Sequence, residues 1–172
     1  ELVLERVLEK SGLEKGREYE IQKSFVTEEG NRVQPDVVIN LPDGKKMIVD
    51  SKVSLTAYEK YINEDEEEQK TAFLKEHVTS LKRHVEQLGN KNYQHLYEME
   101  SPDFVLLFIP IEPAFAIALN EDTQLYNKAF EKNIVIVTPS TLLATLRTID
   151  SMWTNQKQQD NAIEIARQAG AL

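Results

Sequence analysis

One stretch of the sequence decides the fold, and it reads Gln34-Pro35-Asp36-Val37-Val38-Ile39-Asn40-Leu41-Pro42-Asp43-Gly44-Lys45-Lys46-Met47-Ile48-Val49-Asp50-Ser51-Lys52. Two strand-like runs, residues 37–41 and 46–52, flank the turn sequence Pro-Asp-Gly. Such a pattern is typical of a β-hairpin. Because a hairpin folds the chain back on itself, it brings Asp36 towards Asp50. The segment therefore predicts two paired strands with two carboxylates, Asp36 and Asp50, close together at the open end of the hairpin.

The second of these strands carries an unusual combination of side chains. Side chains alternate along a strand, so Asp50 and Lys52 project from one face while Ser51 points away. The continuous apolar run before Asp50 predicts a strand covered on both faces, where a carboxylate is costly unless it is paired or binds a metal. Two carboxylates beside a lysine can hold a hard divalent cation and an activated water, the minimum for cutting a phosphodiester. A chance occurrence of this spacing is the alternative.

The bulk properties predict one globular domain over residues 1–172, with 41% hydrophobic and 28% charged residues. No run of eighteen apolar residues exists, so nothing in the chain is expected to span a membrane. The chain starts inside a periodic helical pattern without Met, and we expect a fragment of a longer protein. The absence of cysteine excludes disulfides and thiolate metal sites, and it fits a reducing, cytoplasmic location.

Charge is unevenly distributed along the chain. The net charge of −9 argues against indiscriminate binding of nucleic acid, which depends on Lys and Arg. The acidic run at residues 64–68 is interpreted as a solvated helix start, with Asn63 as its N-cap, rather than as a metal cluster. A local basic and hydrogen-bonding patch follows, and Arg147 lies in the last helix; both are candidate contacts for DNA phosphates. The patch comprises His77, Lys82, Arg83, His84, Lys91 and Tyr93. The alternative is an exposed helix whose charges are balanced by Glu76 and Glu86.

The order of predicted elements indicates the fold class. Antiparallel early strands and later strands reached over helical connections predict an α/β sandwich with a mixed central sheet flanked by helices. The predicted elements are a helix ending near residues 11–12, strands around 19–26, 37–41 and 46–52, a connection at 55–62, a helix at about 65–88, a strand at 104–109, short helices at 113–119 and 122–131, a strand at 134–137, and a helix from 140 to about 169.

Three segments carry a family resemblance that extends over nearly the whole chain. They are Val49-Asp50-Ser51-Lys52-Val53-Ser54-Leu55, Ser101-Pro102-Asp103-Phe104-Val105-Leu106-Leu107-Phe108-Ile109-Pro110 and Thr138-Pro139-Ser140-Thr141-Leu142-Leu143-Ala144-Thr145-Leu146-Arg147. The chain resembles the RmuC family of bacterial DNA recombination proteins, and the Pro35-Asp36 … Asp50-x-Lys52 arrangement resembles the PD-(D/E)xK nuclease superfamily. The resemblance implies a restriction-endonuclease-like sandwich and a nuclease that limits DNA inversions or rearrangements.

The resemblance also implies roles for individual residues. Asp36, Asp50 and the main-chain carbonyl of Ser51 would bind Mg²⁺ or Mn²⁺, and Lys52 would position or deprotonate the attacking water. A glutamate of the first helix often completes such sites; Glu1 is the first choice and Glu5 the reserve. The alternative is that both glutamates are solvated.

The implied partner is DNA. Flanking coiled coils, which offer a route to homo-oligomers, and a membrane anchor at the inner face of the cell membrane would lie outside this chain. A second function stays open, namely a module that keeps the fold and grips branched or broken DNA, or a protein partner, without cutting.

Overall fold

The computed structural model describes residues 2–21, 25–26, 32–33, 35–90 and 104–170. Its helices are α1 (Leu2–Lys10), α2 (Thr56–Asn63), α3 (Glu67–Asn90), α4 (Glu112–Glu121), α5 (Leu125–Glu131) and α6 (Pro139–Gly170). Its strands are β1 (Tyr19–Ile21), β2 (Phe25–Val26), β3 (Arg32–Val33), β4 (Val37–Asn40), β5 (Lys46–Asp50), β6 (Val105–Phe108) and β7 (Ile134–Val137).

Five strands form one mixed sheet in the order β1-β4-β5-β6-β7. The pairs β1–β4 and β4–β5 are antiparallel, whereas β5–β6 and β6–β7 are parallel. This confirms the predicted α/β class, the mixed sheet and the antiparallel start. The single strand predicted at 19–26 was wrong, because β1 ends at Ile21 and β2 pairs with β3 in a separate two-stranded sheet.

Helices cover both faces of the sheet. Ile48 packs with side chains of α2, α3, α4 and α5, whereas its neighbour Val49 packs with side chains of α1 and α6. Both residues are fully buried, and each contributes roughly 1.5–3 kcal/mol of hydrophobic stabilisation. Because β5 is covered on both faces, its sequence does not alternate between apolar and polar residues.

The turn of the β4–β5 hairpin forms as its sequence predicts. Gly44 has a φ of +82°, which favours glycine, and the carboxylate of Asp43 accepts a hydrogen bond from the Lys45 N–H at 3.2 Å. The Leu41 N–H donates to the Lys45 carbonyl at 2.8 Å and closes the turn. The turn fixes the strand register, in which Val37 lies opposite Val49.

Two local predictions differ from the structure. The connection predicted at 55–62 is helix α2, which buries Ala57 and Tyr58. Asn63 does not cap α3, because it is the last residue of α2 and its side chain donates to the Glu59 carbonyl at 3.0 Å. The Glu64 carboxylate instead accepts hydrogen bonds from the next two main-chain N–H groups, both at 3.1 Å.

Helix α6 is the longest helix in the described part of the chain. Leu142, Leu146 and Ile149 follow a helical spacing and are buried against the sheet, and the Trp153 indole donates to the Asn40 carbonyl at 3.0 Å. No helix within the described residues combines the length and the apolar character needed to cross a membrane.

Candidate functional site

The strand register places Asp36 and Asp50 at the open end of the hairpin. Val37 pairs with Val49, and the two acids are the next residues outward, Asp36 before β4 and Asp50 at the end of β5. Asp50 also pairs with Leu107 of β6, so its side chain is only 5% exposed, compared with 22% for Asp36. The two carboxylates thus meet at the carboxyl end of a central strand, one buried and one partly open to solvent.

The ammonium group of Lys52 lies between the two carboxylates. Its Nζ is 3.3 Å from Asp36 Oδ1 and 3.8 Å from Asp50 Oδ2. These two oxygens are therefore no farther apart than the sum of those distances. A positive charge at this point reduces the repulsion between the two acids. Half of the Lys52 side chain remains exposed, so the group is accessible from solvent.

The other oxygen of each carboxylate holds the main chain that leaves β5. Asp36 Oδ2 accepts hydrogen bonds from the Ser51 N–H at 2.7 Å and from the Ser51 hydroxyl at 3.1 Å. Asp50 Oδ1 accepts from the Lys52 N–H at 3.1 Å. The two acids thus both face the lysine and fix the backbone that carries it.

A cavity of about 230 Å³ opens beside Asp36 and Lys52. Its wall is formed by residues of α1, β1 and β4 and by residues that flank β4 and β5: Leu4, Glu5, Leu8, Ile21, Asp36, Val37, Ser51 and Lys52. Glu5 is therefore the described carboxylate of α1 that shares this cavity with the site, while Glu1 lies outside the described residues. Burial, together with the negative charges of Glu9 and Glu5, raises the pKa of Tyr19, as expected for a phenol under α1.

The donor set consists of oxygens. Within the described ranges, no group of three or more His, Cys, Asp or Glu side chains is arranged to hold a metal ion. The carboxylates that meet at the site are Asp36 and Asp50, and Glu5 reaches the same cavity. Hard divalent cations prefer oxygen ligands and complete their coordination with water or main-chain carbonyls. The chemistry of these side chains fits Mg²⁺ or Mn²⁺.

The interpretation of His77 as part of a surface patch was wrong. Its side chain is completely buried, its Nε2 lies 2.8 Å from the Ala114 carbonyl oxygen, and its ring packs against Tyr58 at 5.4 Å between centroids. The residue lies on the face of α3 that packs against α2 and α4, so it does not reach a phosphate in this fold.

The other predicted DNA contacts on α3 have different surroundings. Lys82 forms an ion pair with Asp122 at 2.8 Å, and this hydrogen bond lowers the pKa of the Asp122 carboxyl. Arg83 is exposed, and His84 is partly buried with its Nε2 3.2 Å from the Ser54 N–H. Lys91 and Tyr93 lie outside the described residues. The contact to Ser54 brings this part of α3 next to the segment that carries Lys52.

Arg147 is not brought to the acidic site. Its guanidinium donates to the main-chain carbonyl of Lys10, the last residue of α1, at 3.4 Å. Glu5, near the start of the same helix, lines the site cavity instead. Arg147 therefore satisfies a carbonyl at the far end of α1.

A second polar cluster lies at the same edge of the sheet, and sequence reasoning did not identify it. Glu112 Oε1 accepts hydrogen bonds from the Ser140 N–H at 3.1 Å and the Thr138 hydroxyl at 3.2 Å. Hydrogen bonds from Ser140, and then from Thr138, hold the pKa of Glu112 below its ordinary value. The sequence signal was a Thr-Pro-Ser motif directly after β7. The cluster ties the start of α4 to the start of α6, at the carboxyl ends of β6 and β7.

Comparisons with known proteins extend over the whole chain. The RmuC family matches residues 1–172. A "DNA recombination protein RmuC homolog" of Pseudomonas aeruginosa is 58% identical over 172 residues, and one of Vibrio cholerae is 46% identical. The "DNA recombination protein RmuC" of Escherichia coli K12 is 45% identical. Each match covers 100% of this chain but only 38%, 34% and 36% of the respective relative. No solved structure matches the chain.

Proposed function

The chain belongs to the RmuC family, and from this premise we propose that it is a metal-dependent nuclease that acts on DNA in recombination and limits inversions or rearrangements. The observation that carries the proposal is the position of the Lys52 ammonium between the carboxylates of Asp36 and Asp50. The hairpin, the mixed sheet and the helices on both faces support a restriction-endonuclease-like fold of the PD-(D/E)xK type.

The residues that would hold Mg²⁺ or Mn²⁺ are Asp36, Asp50 and the main-chain carbonyl of Ser51. Glu5, on the wall of the same cavity, takes the role expected of a first-helix carboxylate. When bound, the cation supplies positive charge that stabilises the negative charge developing on the phosphate oxygens. Because both acids contact the Lys52 ammonium, a cation held by them would bring the scissile phosphate next to Lys52.

Lys52 has the chemical role in this proposal. Its ammonium orients the attacking water and stabilises the transition state, in which negative charge on the phosphate is largest. The backbone of Lys52 is fixed by the carboxylate of Asp50, and its side chain is half exposed towards the cavity. A substrate phosphate can therefore approach a group whose main chain is already held in place.

The DNA is proposed to run over the exposed side of α3 next to the site. Arg83 lies there, and its neighbour His84 contacts the segment that follows Lys52. The net charge of −9 implies that much of the affinity comes from elsewhere. We propose that segments outside this chain supply that affinity, for example through coiled coils that pair subunits, and that an anchor holds the cytoplasmic domain at the membrane.

A DNA- or partner-binding module that does not cut is the second candidate. The acidic net charge favours it. The presence of Asp36, Asp50 and Lys52, the three side chains of the PD-(D/E)xK pattern, favours the nuclease.

Cleavage assays on the whole natural protein distinguish the two candidates. Linear, nicked, branched and single-stranded DNA are incubated with Mg²⁺, Mn²⁺ or a chelator. We expect metal-dependent cleavage by the wild type and by Asp43→Asn, a matched change at the other end of the hairpin, and none by Asp50→Asn. If the wild type binds these substrates but cuts none of them with either cation, the binding module replaces the nuclease.

A further inference from the structure

We infer that His84 is a positioning residue, whose imidazole holds the segment that presents Lys52 to the substrate. This inference rests on the proposed function, because the position of Lys52 matters only if Lys52 acts on a bound phosphate. The observation behind it is the hydrogen bond from the Ser54 main-chain N–H to His84 Nε2 at 3.2 Å, which joins residues 30 positions apart in the sequence.

The segment that carries Lys52 is held by side chains from three directions. It links the end of β5 to the start of α2 and has no helical or strand structure of its own. Asp36 binds the Ser51 N–H and Asp50 binds the Lys52 N–H. His84 binds the Ser54 N–H from α3, so the backbone is fixed on both sides of Lys52. Two of these three acceptors, Asp36 and Asp50, are the proposed metal ligands, and His84 is the third.

The chemistry of the contact determines which nitrogen carries a proton. A main-chain N–H can only donate, so His84 Nε2 must be the acceptor and carries the lone pair. The same nitrogen is then not available to donate to a phosphate. This gives Nε2 a role different from the phosphate contact that the basic neighbours of His84 suggested.

The helix that carries His84 is a rigid support. Leu81, Val85 and Leu88 on the adjacent face of α3 are buried in the core beneath the sheet. Val53, the residue after Lys52, packs against the same core. The imidazole therefore connects a packed helix to an irregular segment. The distances from Lys52 Nζ to the two carboxylates depend on where that segment lies. Outer residues that orient a reacting group in this way commonly affect rate without touching substrate.

Three substitutions separate positioning from phosphate binding. His84→Gln keeps an acceptor oxygen at a similar reach, His84→Leu removes the acceptor, and His84→Lys removes the acceptor but adds a positive charge. Gln87→Leu changes an exposed side chain one turn further along α3 and serves as the control. The measurements are kcat and KM for metal-dependent cleavage and Kd for uncleaved DNA, in the whole natural protein.

We expect His84→Leu and His84→Lys to lower kcat about tenfold to a hundredfold with little change in KM or Kd, because Lys52 is misplaced relative to the reacting atoms. His84→Gln should stay within roughly threefold of the wild type, as should the control. If His84→Lys keeps the wild-type kcat and tightens DNA binding, His84 is a phosphate contact and the inference is overturned. If His84→Leu folds poorly, the kcat values of His84→Gln and His84→Lys are compared instead.

Amide hydrogen exchange tests the inference without cleavage. In His84→Leu and His84→Lys, the amides of Ser54 and Lys52 should exchange about tenfold faster than in the wild type, while those of Leu81 and Val85 stay unchanged. In His84→Gln, all four should keep their wild-type rates. Unchanged exchange at Lys52 in the first two variants overturns the inference. A wild-type protein that cuts no DNA contradicts the proposed function instead, and the exchange data still decide whether His84 holds Lys52.

Discussion

The Asp36 carboxylate accepts two hydrogen bonds from Ser51, one from the main-chain N–H at 2.7 Å and one from the hydroxyl at 3.1 Å. Asp36 precedes β4 and Ser51 follows β5, so these bonds close the open end of the hairpin opposite the turn. The same carboxylate faces the Lys52 ammonium through its other oxygen. The residue proposed to bind the cation is therefore also a structural connection between two strands.

Asp36→Ala should lower the free energy of unfolding by about 1–3 kcal/mol, because a partly buried N–H loses its acceptor. Asp36→Asn keeps an acceptor oxygen and should cost less. Asp43→Ala removes a comparable bond at the exposed turn of the same hairpin and should cost less than about 1 kcal/mol. Urea denaturation of the three variants measures these differences. Equal costs for Asp36→Ala and Asp43→Ala would contradict the structural role of Asp36.

Divalent cations should stabilise the folded domain, since a bound ion removes the repulsion between Asp36 and Asp50 and binds only the folded state. At a Mn²⁺ or Mg²⁺ concentration about a hundred times Kd, the gain is about 2.7 kcal/mol. Melting curves with each cation and with chelator measure it. The gain should vanish in Asp50→Asn and persist in Asp43→Asn. Melting curves of the wild type that do not respond to either cation would remove the metal site from the proposal.

The hairpin and the acidic pair could be predicted because local signals determine them. The turn sequence at residues 42–44 fixes the register, and the register alone places Asp36 beside Asp50. The parallel strands followed from apolar runs separated by helical patterns. Helix α2 was missed because it has only eight residues and buries two side chains, a pattern too short to distinguish from a connection.

The surroundings of the α3 side chains could not be predicted, because they depend on packing between distant segments. His77 is buried because α4 places the Ala114 carbonyl 37 residues further along the chain against it. His84 and Ser54 meet only after α2 and α3 have packed against each other. The sequence spacing along α3 predicts which side of the helix each side chain lies on. It does not predict which distant segment packs against that side.

Gly12 should be intolerant of substitution, which tests how α1 is seated beside the site. Gly12 and Gly16 have φ values of +89° and +86°, so alanine at either position costs about 1–2 kcal/mol through backbone strain. A Cβ at Gly12 would also lie 2.9 Å from Asp150 Oδ2, whereas one at Gly16 would meet open space. Thermal or urea unfolding should therefore show a larger loss for Gly12→Ala. In an Asp150→Ala background, the costs of the two glycine substitutions should become similar.

Glu112 should contribute acid-sensitive stability. Hydrogen bonds from Ser140 and Thr138 lower its pKa in the folded state below the ordinary value of 4.5. A lowered folded pKa means that the contribution is fully present above pH 4.5 and is lost as the pH falls through the folded value. The difference in unfolding free energy between wild type and Glu112→Gln should therefore be constant near neutrality and shrink below that pH. In a Ser140→Ala background, this difference in unfolding free energy should decrease less at acidic pH. If the difference does not depend on pH, this account of Glu112 is contradicted.

Lys52→Ala tests the chemistry directly against Lys45→Ala, a matched lysine that lies in the exposed turn of the same hairpin beside Asp43. We expect Lys52→Ala to lower kcat by a factor of about 10² or more, because the lost charge acts mainly in the transition state. Affinity for uncleaved DNA should change far less, and Lys45→Ala should leave both quantities near their wild-type values. Cation-dependent stabilisation should survive in Lys52→Ala, since both carboxylates remain and lose only a competing ammonium. If Lys52→Ala instead weakens DNA binding and lessens its salt dependence, while the wild type cuts none of the substrates, then Lys52 is a phosphate contact of a binding module.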